Sequence, residues 1–442
     1  MSQAVKEKSI YADAFHELTG ARAGEPAWVA RLREGAFERF EASGFPTTDE
    51  EDWKYTNVAP LARKAFRPAA GAELERAAVE TFVSAEARRS RLVFVNGAFR
   101  PELSSLEALP QGVVAVDLGA ALAGEHAALL WEHLGRLSGE ETDAFSLLNT
   151  ALHAGGAFIH VPADTEVAAP VQLLFLTAPG GAESVTFPRV LVVAGRNSRL
   201  DLIETYAAHE GDAEYFTDAV VEVFVGEGAR VTHYKVQDEG ARAFHIASTR
   251  ADVAHDGSYE LTTVTLGAQL SRHGIEVVLG SEGAQCRVDG LYLVGTGQHA
   301  DTHSLIDHRE PHCTSRQNYK GILDGRSRAV FNGRVFVREG AHQTDAEQSN
   351  KNLLLSSEAR VDTKPQLEIY NDDVKCSHGA TVGQLEEEEL FYLLSRGLHP
   401  DLARNLLTYG FAEEIVEKIK IDSIRAQLDD AILNRLHARL EV

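Results

Sequence analysis

Cysteine is the first scarcity. The 442-residue chain has three, Cys286, Cys313 and Cys376, too far apart for any CxxC pair. An odd, sparse set excludes a disulfide framework and fits a reducing cytoplasm. The opening stretch "MSQAVKEKSIYADAF" has no apolar h-region, so no signal peptide is expected. Long hydrophobic runs are also missing, and pieces such as "VQLLFL" are far too short to span a bilayer. The dipeptide Gly-Lys never occurs, which removes the P-loop ATPases. No Gly-x-Ser-x-Gly elbow sits in a strand–helix setting and no His-Glu-x2-His appears, so the common hydrolase and zincin sites are absent as well. Basic residues are outnumbered, 43 Lys+Arg against 66 Asp+Glu, for a net charge of -23. A chain this acidic repels nucleic acid and anionic membrane surfaces, and no Lys/Arg-rich run offers a local basic groove.

What is present reads as helical, then β, then helical, with divisions expected at 1–155, 156–380 and 381–442. "PAWVARLREGAFERFEASG" places Val29, Leu32, Phe37 and Phe40 near one helix face, with Gly44 as its stop. The polar loop "FPTTDEEDWKYTNVAP" follows, with Trp53 and Tyr55 as anchors packing the N-terminal segment. From about 90 to 140 short apolar runs alternate with turns, as in "RLVFVNGAFRPEL" with its central Asn-Gly. "TDAFSLLNTALHAGG" then predicts one helix, capped by Thr142, striped by Phe145, Leu148 and Leu152, and stopped at Gly155-Gly156.

After Gly156 the apolar period changes from helical to two. "AFIHVP", "VQLLFL", "VLVVAG", "AVVEVFVG", "RVTHYKVQ" and their successors run to "LEIYNDDVKC", punctuated by Gly, Asn and Asp, with no helix between them. That excludes a βαβ fold and leaves a large sandwich, a propeller or a β-helix. No motif of fixed period appears, which argues against a regular hexapeptide solenoid or a WD-type propeller. Near residue 385 the helical period returns. Glu386 to Glu389 suit a first turn, Leu390, Leu393 and Leu394 form its apolar face, and Gly397 ends it. Pro400 opens a second helix, "PDLARNLLTYG", and Ile424, Leu428, Ile432, Leu436 and Leu440 stripe the last stretch.

Cys376-Ser377-His378 is the best positive signal for chemistry. It follows the strand-like "QLEIYNDDV", and in an extended chain residues i and i+2 point to one side. A thiolate and an imidazole would then project together, a donor pair suited to iron, zinc or copper(I). Two donors cannot fill a tetrahedral site, so any metal here needs ligands from elsewhere in the chain or from a partner; the plain alternative is a buried thiol beside an ordinary histidine. "HREPHC" offers His308, His312 and Cys313 as a second cluster, but Pro311 argues against a helix presenting both histidines, and a structural role is expected. Asp324, Asp345, Asp372 and Asp373 are candidates for the acid/base pair of a sugar-cleaving β-helix enzyme.

The stretch from 329 to 398, "AVFNGRVFVREGAHQTDAEQSNKNLLLSSEARVDTKPQLEIYNDDVKCSHGATVGQLEEEELFYLLSRGL", resembles the signature region of the SufB/SufD family of the SUF iron–sulfur cluster assembly machinery. "DEEDWKYTNV" at 49–58 is similar to that family's N-terminal Glu-x-Trp-Lys-Tyr-Thr element, with Asp52 before Trp53. Within the family the likeness is to the SufD branch. SufB-type chains carry a cysteine near the position of Asn350 and a His-Glu-Ala-Thr where this chain has His378-Gly379-Ala380-Thr381. The resemblance thus implies that this chain is not the main sulfur acceptor.

It further implies a mainly β fold, an irregular right-handed parallel β-helix core flanked by N- and C-terminal helical regions. It implies a non-catalytic scaffold role in a complex of one SufB, one SufD and two copies of the ATPase SufC. SufB would pair through strands near the end of the β core, and SufC would dock on the C-terminal helices through Leu390, Leu393, Leu394, Leu402 and Leu406. His378, with Cys376 as its neighbour, would face SufB and hold iron or an iron–sulfur cluster transiently, and no nucleotide would bind this chain itself. Movement of SufC would pull on the helical C-terminus and expose the ligands. Two other readings stand beside it: a β-helix enzyme acting on acidic polysaccharide, and a homodimer whose β-helices pair through the same edge.

Overall fold

The computed structural model describes residues 2–22, 25–137, 143–178, 183–209 and 213–437. Among the described residues sixteen strands in chain order build the solenoid, and a short strand, Ser184–Thr186, adds beside Tyr215–Val225. The sixteen begin with β1 (Gly155–Val161), β2 (Val171–Thr177), β3 (Pro188–Ala194), β4 (Arg199–Ala208), β5 (Tyr215–Val225), β6 (Arg230–Asp238), β7 (Phe244–Val253) and β8 (Ser258–Thr265). Then come β9 (Leu270–Leu279), β10 (Gln285–Val294), β11 (His299–His308), β12 (Thr314–Leu323), β13 (Arg328–Val337), β14 (Thr344–Leu354), β15 (Arg360–Ile369) and β16 (Val374–Gly383). Among these sixteen, odd strands pair with odd and even with even, always parallel and two apart in sequence. The chain therefore winds as a parallel β-solenoid of about seven turns, with one strand of each sheet per turn. The two inner faces enclose an apolar core that includes Val192, Val223, Leu261, Val277, Val288, Ile306 and Phe331. This resolves the choice among sandwich, propeller and β-helix.

The repeat that the sequence hides lies at one corner of each turn. Asp164, Asn197, Gly228, Asp256, Gly283, His312 and Gln343 all have positive φ, between 52° and 73°. Their amides form a ladder to the next turn, for example Asn197 N to Glu227 O at 2.8 Å, Gly228 N to His255 O at 2.9 Å and His312 N to His342 O at 2.8 Å. Each corner needs a left-handed residue, which Gly, Asn and Asp adopt most readily. Because several residue types satisfy it and turn lengths vary, no fixed motif reaches the sequence.

One end of the solenoid is closed and the other open. At the N-terminal end Arg91–Val95 adds parallel to β2, and Val114–Asp117 adds antiparallel to β1. Asn96 and Gly97, both with positive φ, turn Arg91–Val95 into a hairpin with Ala98–Phe99. The helices α1 (Ser2–Ala21), α2 (Ala27–Ser43) and α3 (Ala144–Leu152) cover the outer face of the odd sheet, where Phe15, Phe37, Phe40, Trp53 and Phe145 pack on Phe216 and Phe244. Asp143 caps α3, accepting from the Phe145 and Ser146 amides at 3.0 Å each; Thr142, the expected cap, lies outside the described residues. Two short helices, Leu118–Ala123 and Ala127–His133, stand where only strands and turns were expected, and Val29 packs on them rather than with Phe37.

At the other end α4 (Glu387–Ser395), α5 (Pro400–Val416) and α6 (Asp422–His437) return over the even sheet. Ala412, Ile415, Ile419, Ile424, Leu428 and Ile432 pack on Ile203, Tyr234, Leu291 and Ile322. The α5 helix runs through Gly410 instead of ending there, because Ala412, Ile415 and Val416 are buried and outweigh the roughly 1 kcal/mol cost of a helical glycine. The side chain of Leu436 and the whole of Leu440 lie outside the described residues.

Candidate functional site

The last strand, β16, carries Cys376 and His378 opposite Ala346 and Gln348 of β14. Followed back through the sheet, their columns are Cys286–Ser315–Ala346–Cys376 and Val288–Gln317–Gln348–His378. Cys286 and Val288 belong to the inner core, and parallel in-register pairing keeps one column on one face. Both candidate donors therefore face the lumen at its open mouth. Cys376 is half-buried against Val335, Val337, Ala346 and Leu367, and burial raises its thiol pKa. His378 is exposed, since no further turn covers it.

The lumen changes character as it nears this mouth. Val288 gives way to Gln317 and Gln348, and Tyr319 to Asn350. Gln317 Nε2 donates to Ser304 Oγ at 2.8 Å, Gln348 Nε2 to Gln317 Oε1 at 2.7 Å, and Thr363 Oγ1 to Asn350 Oδ1 at 2.8 Å. Sequence reading missed this polar lining, although its period-two polar residues in "EQSNKN" were the available sign. Among the described residues no group of three His, Cys, Asp or Glu side chains could hold a metal ion. Cys376 and His378 supply at most two ligands, and a closed coordination sphere would need others from beyond the described residues or from another chain.

The remaining candidates separate. His308 faces inward, its Nε2 2.8 Å from Ser315 Oγ, and burial lowers its pKa to about 4. His312 is the exposed left-handed corner residue, with φ of 60°. Cys313 is buried, its Sγ 3.3 Å from Ser281 O, with its pKa pushed up to about 11 by burial. Asp324 follows the end of β12 while Asp345 pairs with the start of that strand, so the two lie about 30 Å apart, too far for a glycosidase pair. Asp345 pairs with Arg316 at 3.0 Å, and Asp372 and Asp373 occupy the exposed turn before β16.

The Trp-Lys-Tyr-Thr element clamps onto the outer face of the odd sheet. Arg272 lies 3.8 Å from the centre of the Trp53 ring. Thr56 Oγ1 donates to Asp301 Oδ2 at 2.5 Å and lies 3.0 Å from His299 Nε2. Asp301 also pairs with Arg272 and, at 3.2 Å, with His303. Trp53 is the anchor expected of it, whereas Tyr55 is exposed with Lys54 over its ring. Nothing in the sequence joined Thr56 to Asp301, which lie 245 positions apart.

Beyond β16 the chain enters α4 after three residues. No residue of α4 is buried. Leu390, Leu393 and Leu394 are half-buried, and Leu402 and Leu406 of α5 are exposed. Phe391, 71% exposed, and Tyr392 add apolar surface that the predicted set omitted. No helix among the described residues is long and apolar enough to cross a membrane.

Comparison with known proteins bears directly on this open-ended solenoid. Residues 175–411 match the family model described as SUF system FeS cluster assembly, SufBD core domain, and residues 5–173 match the SufBD protein N-terminal region. The chain belongs to the SufB/SufD family. It is 38% identical to an iron–sulfur cluster assembly SufBD family protein of Synechocystis, over 92% of this chain and 91% of the relative. It is 32% identical to the iron–sulfur cluster assembly protein SufD of Escherichia coli, over 90% of each. With SufD of Bacillus subtilis it shares 28% identity over 92% of this chain and 94% of the relative. Family membership ties the chain to SUF iron–sulfur cluster assembly.

Proposed function

We propose that this chain is a non-catalytic scaffold subunit of the SUF assembly complex, of the SufD kind, working in the cytoplasm. Its open solenoid edge pairs with SufB, its C-terminal helices dock the ATPase SufC, and His378, assisted by Cys376, contributes ligands to the iron or nascent cluster that is the complex's cargo. One observation carries the reading: both sheets end on ten-residue strands whose outer edges have no neighbour among the described residues. A long open edge is a template for pairing with another chain. The edge holds Pro365, which has no amide to donate, and exposes Ile369, Tyr370 and Val382. Half a metal site lies on that same edge.

The joint between β16 and α4 supports coupling. Only Gln384 to Glu386 separate the strand bearing His378 from the helix bearing Phe391 and Leu394, so displacement of a docked α4 reaches the donor pair with little slack. The test is His378→Ala in a complex reconstituted with SufB and SufC. Expected are intact assembly and reduced iron content and cluster yield; unchanged yield removes His378 from the mechanism. Failure of the chain to capture a P-loop ATPase would overturn the scaffold reading itself.

A further inference from the structure

The polar lining of the lumen mouth holds an amide oxygen that no group among the described residues satisfies. Gln348 is 1% exposed. Its Nε2 is committed to Gln317 Oε1 at 2.7 Å, and Gln317 Nε2 in turn to Ser304 Oγ at 2.8 Å. Its Oε1 is buried and has no hydrogen-bond partner among the described residues. A buried acceptor left unmade carries the full desolvation cost of that group, so its place here calls for a donor supplied some of the time. The side chain has been given room, because a Cβ on Gly333 of the facing sheet would overlap Gln348 Nε2.

The donor is next door. His378 is the register partner of Gln348 on the adjacent strand, and both side chains leave the sheet on the lumen side about 5 Å apart. Among the described residues the column ends there, with His378 the column neighbour of Gln348 on the open side. A histidine that ligates a metal through one ring nitrogen uses the other as a donor to a carbonyl, carboxylate or water, which fixes tautomer and ring orientation.

We propose that Gln348 is the positioning residue for His378, its Oε1 accepting one imidazole N–H so that the second ring nitrogen, with its free lone pair, faces the open edge. The inference rests on the reading of His378 as a ligand and adds the residue that aims it. The chain Ser304, Gln317, Gln348 is the brace: each amide is oriented by the one before, and the last carbonyl oxygen is held at the mouth. The ligand so presented is a neutral imidazole suited to a borderline metal ion such as ferrous iron.

The test uses the full chain with 15N-labelled histidine, His378 assigned by loss of its signals in His378→Gln. Long-range 1H–15N correlation at pH 8 reads its tautomer ratio. Expected is one dominant tautomer in the unsubstituted chain and a mixture in Gln348→Met, which keeps the volume but removes the acceptor. Ferrous ion titration of the complex reconstituted with SufB and SufC should show a 10- to 100-fold loss for Gln348→Met. An unchanged tautomer ratio in a folded Gln348→Met chain overturns the inference. A shifted ratio with unchanged ferrous affinity supports Gln348 as the positioning residue and instead overturns His378 as a ligand.

Discussion

Tyr319 and Tyr292 fill the lumen because glycine stands opposite each of them. Tyr319 pairs in register with Gly290 and Tyr292 with Gly321, and a Cβ on either glycine would overlap the facing ring. The phenols are tied down as well, Tyr319 to Thr263 at 3.0 Å and Tyr292 to Asn352. Gly290→Ala forces a fully buried ring off its rotamer, a cost of about 1–3 kcal/mol for overpacking, and urea denaturation should read a loss in that range. Gly379 is the opposite case, with nothing within 4 Å of its Cβ position. Gly379→Glu, which restores the residue expected of SufB-type chains, should change stability by less than about 0.5 kcal/mol. If both variants unfold at the same denaturant concentration, the lumen is not packed as described. A single sequence shows these two glycines as equals; only the stacking of turns tells them apart.

Among the described elements, β15, β16 and α4 leave large surfaces uncovered. The strand edges and the exposed helix are separate faces, so substitutions should separate them. Lysines at Ile369 and Val382 protect an edge against pairing and, on the proposed function, should weaken association with SufB, or with a second copy, by at least about tenfold, roughly 1.4 kcal/mol, with SufC capture intact. Phe391→Asp should do the reverse. Co-elution with each partner, with light scattering for the chain alone, checks both; loss of both partners in either variant would show one continuous interface instead of two. The elements themselves were legible in the sequence, because period-two alternation, the Asn96-Gly97 turn and the Pro400 helix start are local signals. The donor pair on one strand face was equally local. The order of strands in space, the corner ladder through His312, and the clamp of Thr56 on Asp301 were not, because each depends on which distant turn stacks on which. The resemblance, not the pattern, pointed to the solenoid.

For the molecule as a whole, the acidic surface surrounds an interior that holds ionisable groups in one protonation state. Inside the lumen Glu204 lies 2.7 Å from His233 and 3.3 Å from Lys235, and Glu239 2.7 Å from His245. Burial alone would raise the pKa of Glu204, but Lys235 and His233 outweigh it and hold it well down, as Arg272 and His303 do for Asp301. Such carboxylates stabilise the fold above the ordinary carboxylate pKa and cease to do so as pH falls below it. The buried histidines act earlier. Burial lowers the pKa of His308 to about 4 and shifts His153, His245, His273 and His299 the same way. Between an unfolded value near 6.5 and that folded value, the unfolded chain binds a proton that the folded chain refuses. Stability is therefore complete above about pH 6.5 and declines as pH drops toward 4, each group contributing up to about 1.4 kcal/mol per pH unit. Relief of the net charge of -23 works in the other direction, but exposed charges are screened beyond roughly 8 Å at physiological salt, while the buried groups are not. Urea midpoints at pH 7, 6 and 5 should fall steadily. His308→Gln should flatten that slope by up to one proton's worth, and an unaltered slope in a folded variant would show that His308 is not held neutral beside Ser315.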